Sequence, residues 1–344
     1  MKLNWSVDDI ENKLKNTKLY IDDNTIKKQL VYSCMLTDLN DITSSKGKFI
    51  EREEFFEKLK DFDLSYFYSP FFNLISYAYD KLNDIKYTST LEAREKKEPE
   101  DIVKYCKSFY KQVDKDSFST FKRIVKNDNC IHFMDNIHNR FMGRTYYINQ
   151  DEYYILINGR NYIEDSLALV HEIKHVDMNI RGYNIGLQTY NELAPILYEM
   201  YMVDYLENIE DIGLTRVNNI NKYVELIKNI GNQMNLIKNL KSTKLPGDMY
   251  DFVYSNYNDI YNNYRLEDIY KVLCNGYSKR VISEVISFMV AIDIYLNVKP
   301  NNINNVLALY IFGIYKIKPD ILDSSLEYIE NMYKPFGNTK IKKK

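Results

Sequence analysis

Only 11 glycines and 7 prolines punctuate 344 residues. So few turn-formers cannot supply the many tight reversals of a multi-stranded fold, and long helices are what remains. The apolar pattern agrees. Residues recur at three- and four-residue spacing through Phe55–Leu59, Phe67–Leu82, Pro99–Val113 and Ser117–Val125, the period of one buried helix face. The aromatic-rich stretch Ser65–Tyr79 reads as a buried helix, since packed rings explain it more simply than a ligand cage. A hydrophobic share of 45% leaves ample surface to bury and excludes disorder as the main state. The expected fold is therefore mainly α. The charge-dense Leu91–Asp101 is the expected boundary between an N-terminal helical region, 1–98, and a larger region, 99–338, followed by a basic tail, 339–344.

One segment departs from the helical pattern. Arg144–Asn149 and Tyr153–Asn158 are rich in β-branched and aromatic residues, with Gln150-Asp151-Glu152 between them. This predicts a small antiparallel hairpin. Gly159-Arg160 then turns the chain, and Asn161 with Glu164 three residues on forms a candidate capping box. A helix from roughly Tyr162 to Asn179 is expected to follow.

That helix carries His171-Glu172-Ile173-Lys174-His175, an HExxH string. With four histidines in the chain, composition alone produces it on the order of 0.003 times. The spacing has a physical purpose. Residues i and i+4 lie one turn apart on one face, so His171 and His175 can present ring nitrogens to one Zn²⁺. Glu172, one position along, points beside the metal, where it can take a proton from a water. Two exposed histidines on an amphipathic helix are the plainer explanation of the same string.

A catalytic zinc usually has a third protein ligand. His132 and His138 are six apart, share no helix face, and are expected to be ordinary polar residues. No histidine follows His175, which excludes the HExxHxxGxxH class. The remaining option is a carboxylate from Thr189–Glu199. Glu192 and Glu199 are seven apart and so stack two turns along one face. Glu192 is the preferred ligand, although with Thr189 it could instead close a capping box; Glu199 is the alternative.

The runs Tyr154–Asn158, Asp165–Glu172 and Glu192–Glu199 together resemble the core of the oligoendopeptidase F and thimet oligopeptidase family. The resemblance covers 131–207 and implies a helical, zincin-like metallopeptidase with a hairpin beside the zinc helix. It implies one zinc ion per chain on His171, His175 and Glu192, with Glu172 as general base. Glu199 would support a ligand from behind, and Asp165 matches the family's Asp six residues before the motif. Three departures stand out. Lys174 occupies a position that is usually Gly. The gap from His175 to Glu192 is 17 residues, shorter than the family's, and by gap alone Glu199 at 24 fits better. The family's C-terminal His, which with one or two Tyr holds the carbonyl oxygen, has no counterpart. Tyr277 is the first choice for that donor, among Tyr254, Tyr257, Tyr261, Tyr264 and Tyr270.

Composition limits the partners. Lys and Arg number 46 against 48 Asp and Glu, a formal charge of −2, so no basic excess calls for nucleic acid or an anionic membrane. The four cysteines are widely spaced without a CxxC pair and are expected to be reduced core thiols. With no apolar leader at Met1–Asp9, a cytoplasmic protein is expected. The expected activity is zinc-dependent hydrolysis of short peptides. Two alternatives stand beside it: a pseudo-peptidase that binds peptides or a protein partner without cleaving them, and a zinc endopeptidase specific for one protein.

Overall fold

The computed structural model describes residues 7–16, 23–40, 52–85, 96–126, 130–134, 142–149, 152–159, 162–183, 190–209, 215–242, 266–275, 279–298, 303–313 and 319–334. Its elements are α1 (Val7–Asn16), α2 (Asp23–Asn40), α3 (Arg52–Asp61), α4 (Pro70–Leu82), α5 (Pro99–Val113), α6 (Lys115–Lys126), β1 (Ile131–Met134), β2 (Gly143–Tyr147) and β3 (Tyr153–Asn158). They continue with α7 (Asp165–Ile180), α8 (Leu193–Glu207), α9 (Thr215–Ser242), α10 (Leu266–Asn275), α11 (Lys279–Asn297), α12 (Ile303–Ile311) and α13 (Pro319–Tyr333). Among the described residues the chain is mainly α with one small sheet. Among the described residues no helix is long and apolar enough to cross a membrane.

Two compact units interleave along the chain. The first comprises Met1–Ser45, Ser89–Arg216 and Ile294–Lys316, and the second Lys46–Thr88, Val217–Asp293 and Ile317–Lys344. The boundary expected near residue 98 lies inside the first unit. The charged run ends there as a helix start: Glu98 is the N-cap of α5, Pro99 takes the first turn, and Glu100 and Asp101 follow, where negative charge suits the helix dipole.

In the first unit the expected hairpin is part of a larger object. β2 and β3 pair antiparallel in the register Thr145↔Ile155, and β1 adds to β3 in parallel, giving the order β1-β3-β2. β1 escapes sequence reading because four residues are too short to show a period. Its His132, expected to be an ordinary polar residue, is fully buried with its ring 6.0 Å from that of Tyr154. β3 sits in the middle and is buried along its whole length. On one face of the sheet, Met134, Tyr146, Ile148, Tyr154 and Leu156 form a core with Ile10, Val31, Tyr32 and Met35 of α1 and α2. The Tyr32 and Tyr154 hydroxyls meet at 3.0 Å. The other face meets α7.

α7 is the centre of this unit and packs on the sheet, α5, α6 and α8. Leu167, Leu169, Val170, Ile173, Val176 and Met178 are all buried, which gives a helix apolar on most sides, as befits one with neighbours all round. On α5, Ile102, Cys106 and Phe109 recur at helical spacing and are buried, and the Tyr110 hydroxyl donates to the Val170 carbonyl at 3.0 Å. Cys106 and Cys130 are buried thiols as expected, whereas Cys34 is exposed on the outward side of α2.

Every described element of the second unit is helical. Its aromatic stretch is two pieces instead of one helix: a 3-10 turn, Leu64–Tyr68, and then α4. Pro70 forces the break, since the residue before a proline is driven to extended backbone, and Ser69 has ψ 153°. Phe67 and Phe72 are buried and meet edge to face at 5.4 Å, while Tyr68 points to solvent. Tyr223 stacks on Phe288 at 4.4 Å.

Candidate metal centre

α7 starts at Asp165, three residues later than the sequence predicts. Asn161, half of the expected capping box, lies outside the described residues. In its place the Asp165 carboxylate accepts from the Tyr162 backbone N–H at 3.3 Å, and two turn bonds lead in, Asp165 N–H to Tyr162 O and Ser166 N–H to Ile163 O, each 3.0 Å. Asp165 thus organises the helix start, roughly 9 Å along the axis from His171 at 1.5 Å per residue. The helix stops at Arg181 because Gly182 takes a left-handed φ of 76°, which glycine adopts without strain.

His171 and His175 stand one turn apart with Nε2 atoms 3.1 Å apart. Glu192 closes the triangle: its Oε2 is 3.1 Å from His171 Nε2 and 3.3 Å from His175 Nε2. Glu192 is the N-cap residue of α8, and its carbonyl accepts the first helical bond from Ile196 N–H, but its side chain makes no capping bond. Thr189, the other half of the alternative capping box, lies outside the described residues. Glu199, two turns along α8, approaches His171 from the other side, Oε1 to Nδ1 at 2.6 Å. Each expected ligand is therefore brought to one point, with Glu199 behind His171.

The donor set fits a small divalent cation. Tetrahedral ligands with bonds of about 2.0–2.1 Å lie roughly 3.3 Å from one another, and the triangle here has edges of 3.1, 3.1 and 3.3 Å. Two imidazoles and one carboxylate are the donor types of an open three-ligand site. Among the described residues these three are the only such grouping able to hold a metal ion. Electrostatics already favour positive charge at this point. Burial opposes the charged form of His171, but Glu192 and Glu199 outweigh it and raise its pKa to about 10. Burial likewise opposes ionised Glu192, and His175 and His171 outweigh it, holding this carboxyl well below the usual range.

Glu172 is buried beside the triangle, and strand β2 holds it. The Thr145 hydroxyl donates to Oε2 at 2.7 Å, and Gly143 packs so closely that a Cβ there would lie 2.8 Å from Glu172 Cγ. Tyr147, on the same face of β2, is 39% exposed. Burial, then the Glu172 and Glu192 carboxylates, push its pKa up. These three β2 residues went unnoticed in the sequence. Strand alternation puts 145 and 147 on one face of the predicted hairpin, but that hairpin starts at Arg144 and leaves out Gly143, and only the packing of β2 on α7 brings this face to Glu172.

Behind the histidines, α7 carries a buried ionic network. Lys174, at the position where the family resemblance leads one to expect glycine, is 2% exposed. Its Nζ lies 2.9 Å from Asp177 Oδ2, 3.0 Å from Ser117 Oγ and 3.9 Å from the centre of the Tyr198 ring. Asp177 also accepts from Ser117, Thr120 and Arg181. Asp114 caps α6 through the Asp116 and Ser117 N–H groups and accepts from the Tyr198 hydroxyl. α6, α7 and α8 are thus tied together on the side away from the triangle.

Tyr277, first choice for the oxyanion donor, lies outside the described residues, as do Tyr254, Tyr257, Tyr261 and Tyr264. Tyr270 donates to Glu54 within the second unit.

No protein-family model matches the chain. No curated protein matches it in sequence. Among solved structures it is similar to a provisionally assigned oligoendopeptidase F from Bacillus anthracis str. Ames, at 11% identity and TM-score 0.49, over 92% of this chain and 64% of that one. It is also similar to a provisionally assigned peptidase from Chlamydophila abortus, at 13% identity and TM-score 0.48, over 96% of this chain and 62% of that one. The chain spans less than two thirds of the length of either.

Proposed function

We propose that this protein hydrolyses peptide bonds in short, unstructured peptides, with zinc as its metal. The observation that carries this reading is the convergence of His171, His175 and Glu192 on one point, with the buried Glu172 next to His171 on α7. Zinc held by those three side chains would supply Lewis acidity and a water of near-neutral pKa.

The chain's own residues do the rest. Glu172 takes the proton of the attacking water and returns it to the leaving amine, the role of a base that then acts as an acid. Glu199 holds the His171 ring through Nδ1, so that Nε2 faces the triangle. The Tyr147 hydroxyl, kept protonated by burial and then by the Glu172 and Glu192 carboxylates, donates to the carbonyl oxygen as it gains charge. The outer edge of β2 takes up an extended peptide by main-chain pairing; among the described residues no other strand pairs with that edge. A folded substrate has already used its main-chain groups, so flexible peptides are favoured.

The test is a quenched-fluorescent peptide library with zinc-loaded protein. Wild type should cleave, chelator should stop it, and Glu172→Gln should bind peptide without turnover. Equal rates in wild type and Glu172→Gln would refute the mechanism, and a zinc-loaded wild type that cleaves nothing would leave a peptide-binding pseudo-enzyme.

A further inference from the structure

Glu172 follows His171 on a helix whose own geometry does not settle where its carboxylate goes. A glutamate has three rotatable bonds, and the turn of α7 restricts mainly the first. What constrains them here is the neighbouring strand. The Thr145 hydroxyl is 2.7 Å from Glu172 Oε2 and 3.3 Å from the Glu172 carbonyl oxygen. One hydroxyl has one proton to donate, and the nearer, charged acceptor takes it.

Gly143, two residues earlier on the same face of β2, completes the clamp. A Cβ there would stand 2.8 Å from Glu172 Cγ, 3.0 Å from Oε1 and 3.3 Å from Cδ. Contacts at 2.8 Å do not occur between real carbon atoms, so any side chain at 143 must displace the carboxylate. The strand itself cannot drift, because Gly143 and Thr145 pair with Ile157 and Ile155 of the fully buried β3.

We propose that β2 sets the position of the Glu172 carboxylate, with Thr145 as a positioning residue that occupies Oε2 and Gly143 as the glycine that leaves room for Oε1. This deepens the peptidase reading and rests on Glu172 being its base. One oxygen is committed to Thr145, so Oε1 is the atom that exchanges the proton. Because β2 is also the strand whose outer edge is offered to a peptide, the docked main chain and the base share one rigid support.

The experiment compares Thr145→Val, Thr145→Ser and Gly143→Ala with wild type. Val keeps the branched shape and strand preference while removing the hydroxyl; Ser restores the hydroxyl. Three quantities are read: kcat and KM on a cleaved peptide, zinc bound per chain, and the Glu172 side-chain position in crystals of the metal-free variants. Thr145→Val should lower kcat about 10–100-fold, the scale of a misplaced catalytic group, with KM within about 2-fold and zinc unchanged. Ser should recover most of the loss, and Gly143→Ala should lower kcat with the carboxylate displaced. Wild-type kcat in Thr145→Val, or a loss that Ser does not rescue, would overturn the proposal and leave the peptidase reading intact. If Thr145→Val does not fold, Thr145→Ala takes its place with the same expectations. If wild type binds zinc but cleaves nothing, the peptidase reading fails and the crystals decide the positioning claim alone. A Glu172 carboxylate unmoved in Thr145→Val would then refute it, and a displaced one would uphold it.

Discussion

Glu199 Oε1 stands 2.6 Å from His171 Nδ1, while His171 Nε2 faces Glu192 Oε2 at 3.1 Å. One ring is therefore held from both ends by carboxylates on the same helix, α8, and only the Nε2 end belongs to the triangle. Glu199 is 3% exposed, so its charge is desolvated and its hold on the ring is strong.

Replacing Glu199 by Ala should accordingly weaken zinc without abolishing it. Loss of such an orienting partner costs about 10–100-fold in metal affinity. Competition titration with a chromophoric chelator measures it, and unchanged affinity would show that Glu199 does not orient His171.

Lys174→Met tests the network behind the site. Removing one partner of a buried pair leaves the other uncompensated, at about 3–5 kcal/mol. Because Asp177 keeps Arg181 and Asp114 keeps Tyr198, the loss should fall toward the lower end. Chemical unfolding of the metal-free protein reads it, and a loss below about 1 kcal/mol would mean that the network contributes little.

The same network predicts a pH dependence. Burial raises the pKa of Asp114, but Lys174, Ser117 and Tyr198 outweigh it and hold the carboxyl well below its ordinary 3.8. A depressed carboxyl binds its proton less tightly in the folded chain than in the unfolded one. Its stabilisation is therefore present above the unfolded pKa and is lost as pH falls through the folded value. The stability gap between wild type and Asp114→Asn should be full near neutral pH and shrink below about pH 4. A gap that widens toward acid would contradict the assignment.

Tyr147→Phe removes a hydroxyl and nothing else. If that hydroxyl donates to the developing oxyanion, kcat should fall about 10²–10³-fold with KM and bound zinc little changed. Steady-state kinetics decide the matter, and an unaltered kcat would return the role to another donor.

The parts that could be read from the sequence are those whose residues lie close along the chain. His171, Glu172 and His175 share one turn, and the geometry of a helix turns their spacing directly into a face. Glu192 and Glu199 were legible as a pair because they too share a helix, although the loop before them has no periodicity to read. What was illegible depends on contacts between distant segments. β1 is too short to show alternation, and nothing in Ile131–Met134 announces a parallel partner at Ile155–Asn158. Thr145 and Gly143 matter only because β2 lies against α7, a packing fact with no local signature. Lys174 reads as a departure from a familiar pattern until its partners at Asp114, Ser117 and Tyr198, up to 60 residues away, are seen around it.

The account stands most directly on the metal. Crystals of zinc-supplemented protein, with diffraction recorded on both sides of the zinc absorption edge, should give one anomalous peak per chain. That peak should lie about 2.0–2.2 Å from His171 Nε2, His175 Nε2 and a Glu192 carboxylate oxygen, with Glu199 still on His171 Nδ1. A map with no peak at the triangle, or a peak bound by Glu199 with Glu192 turned away, would contradict it.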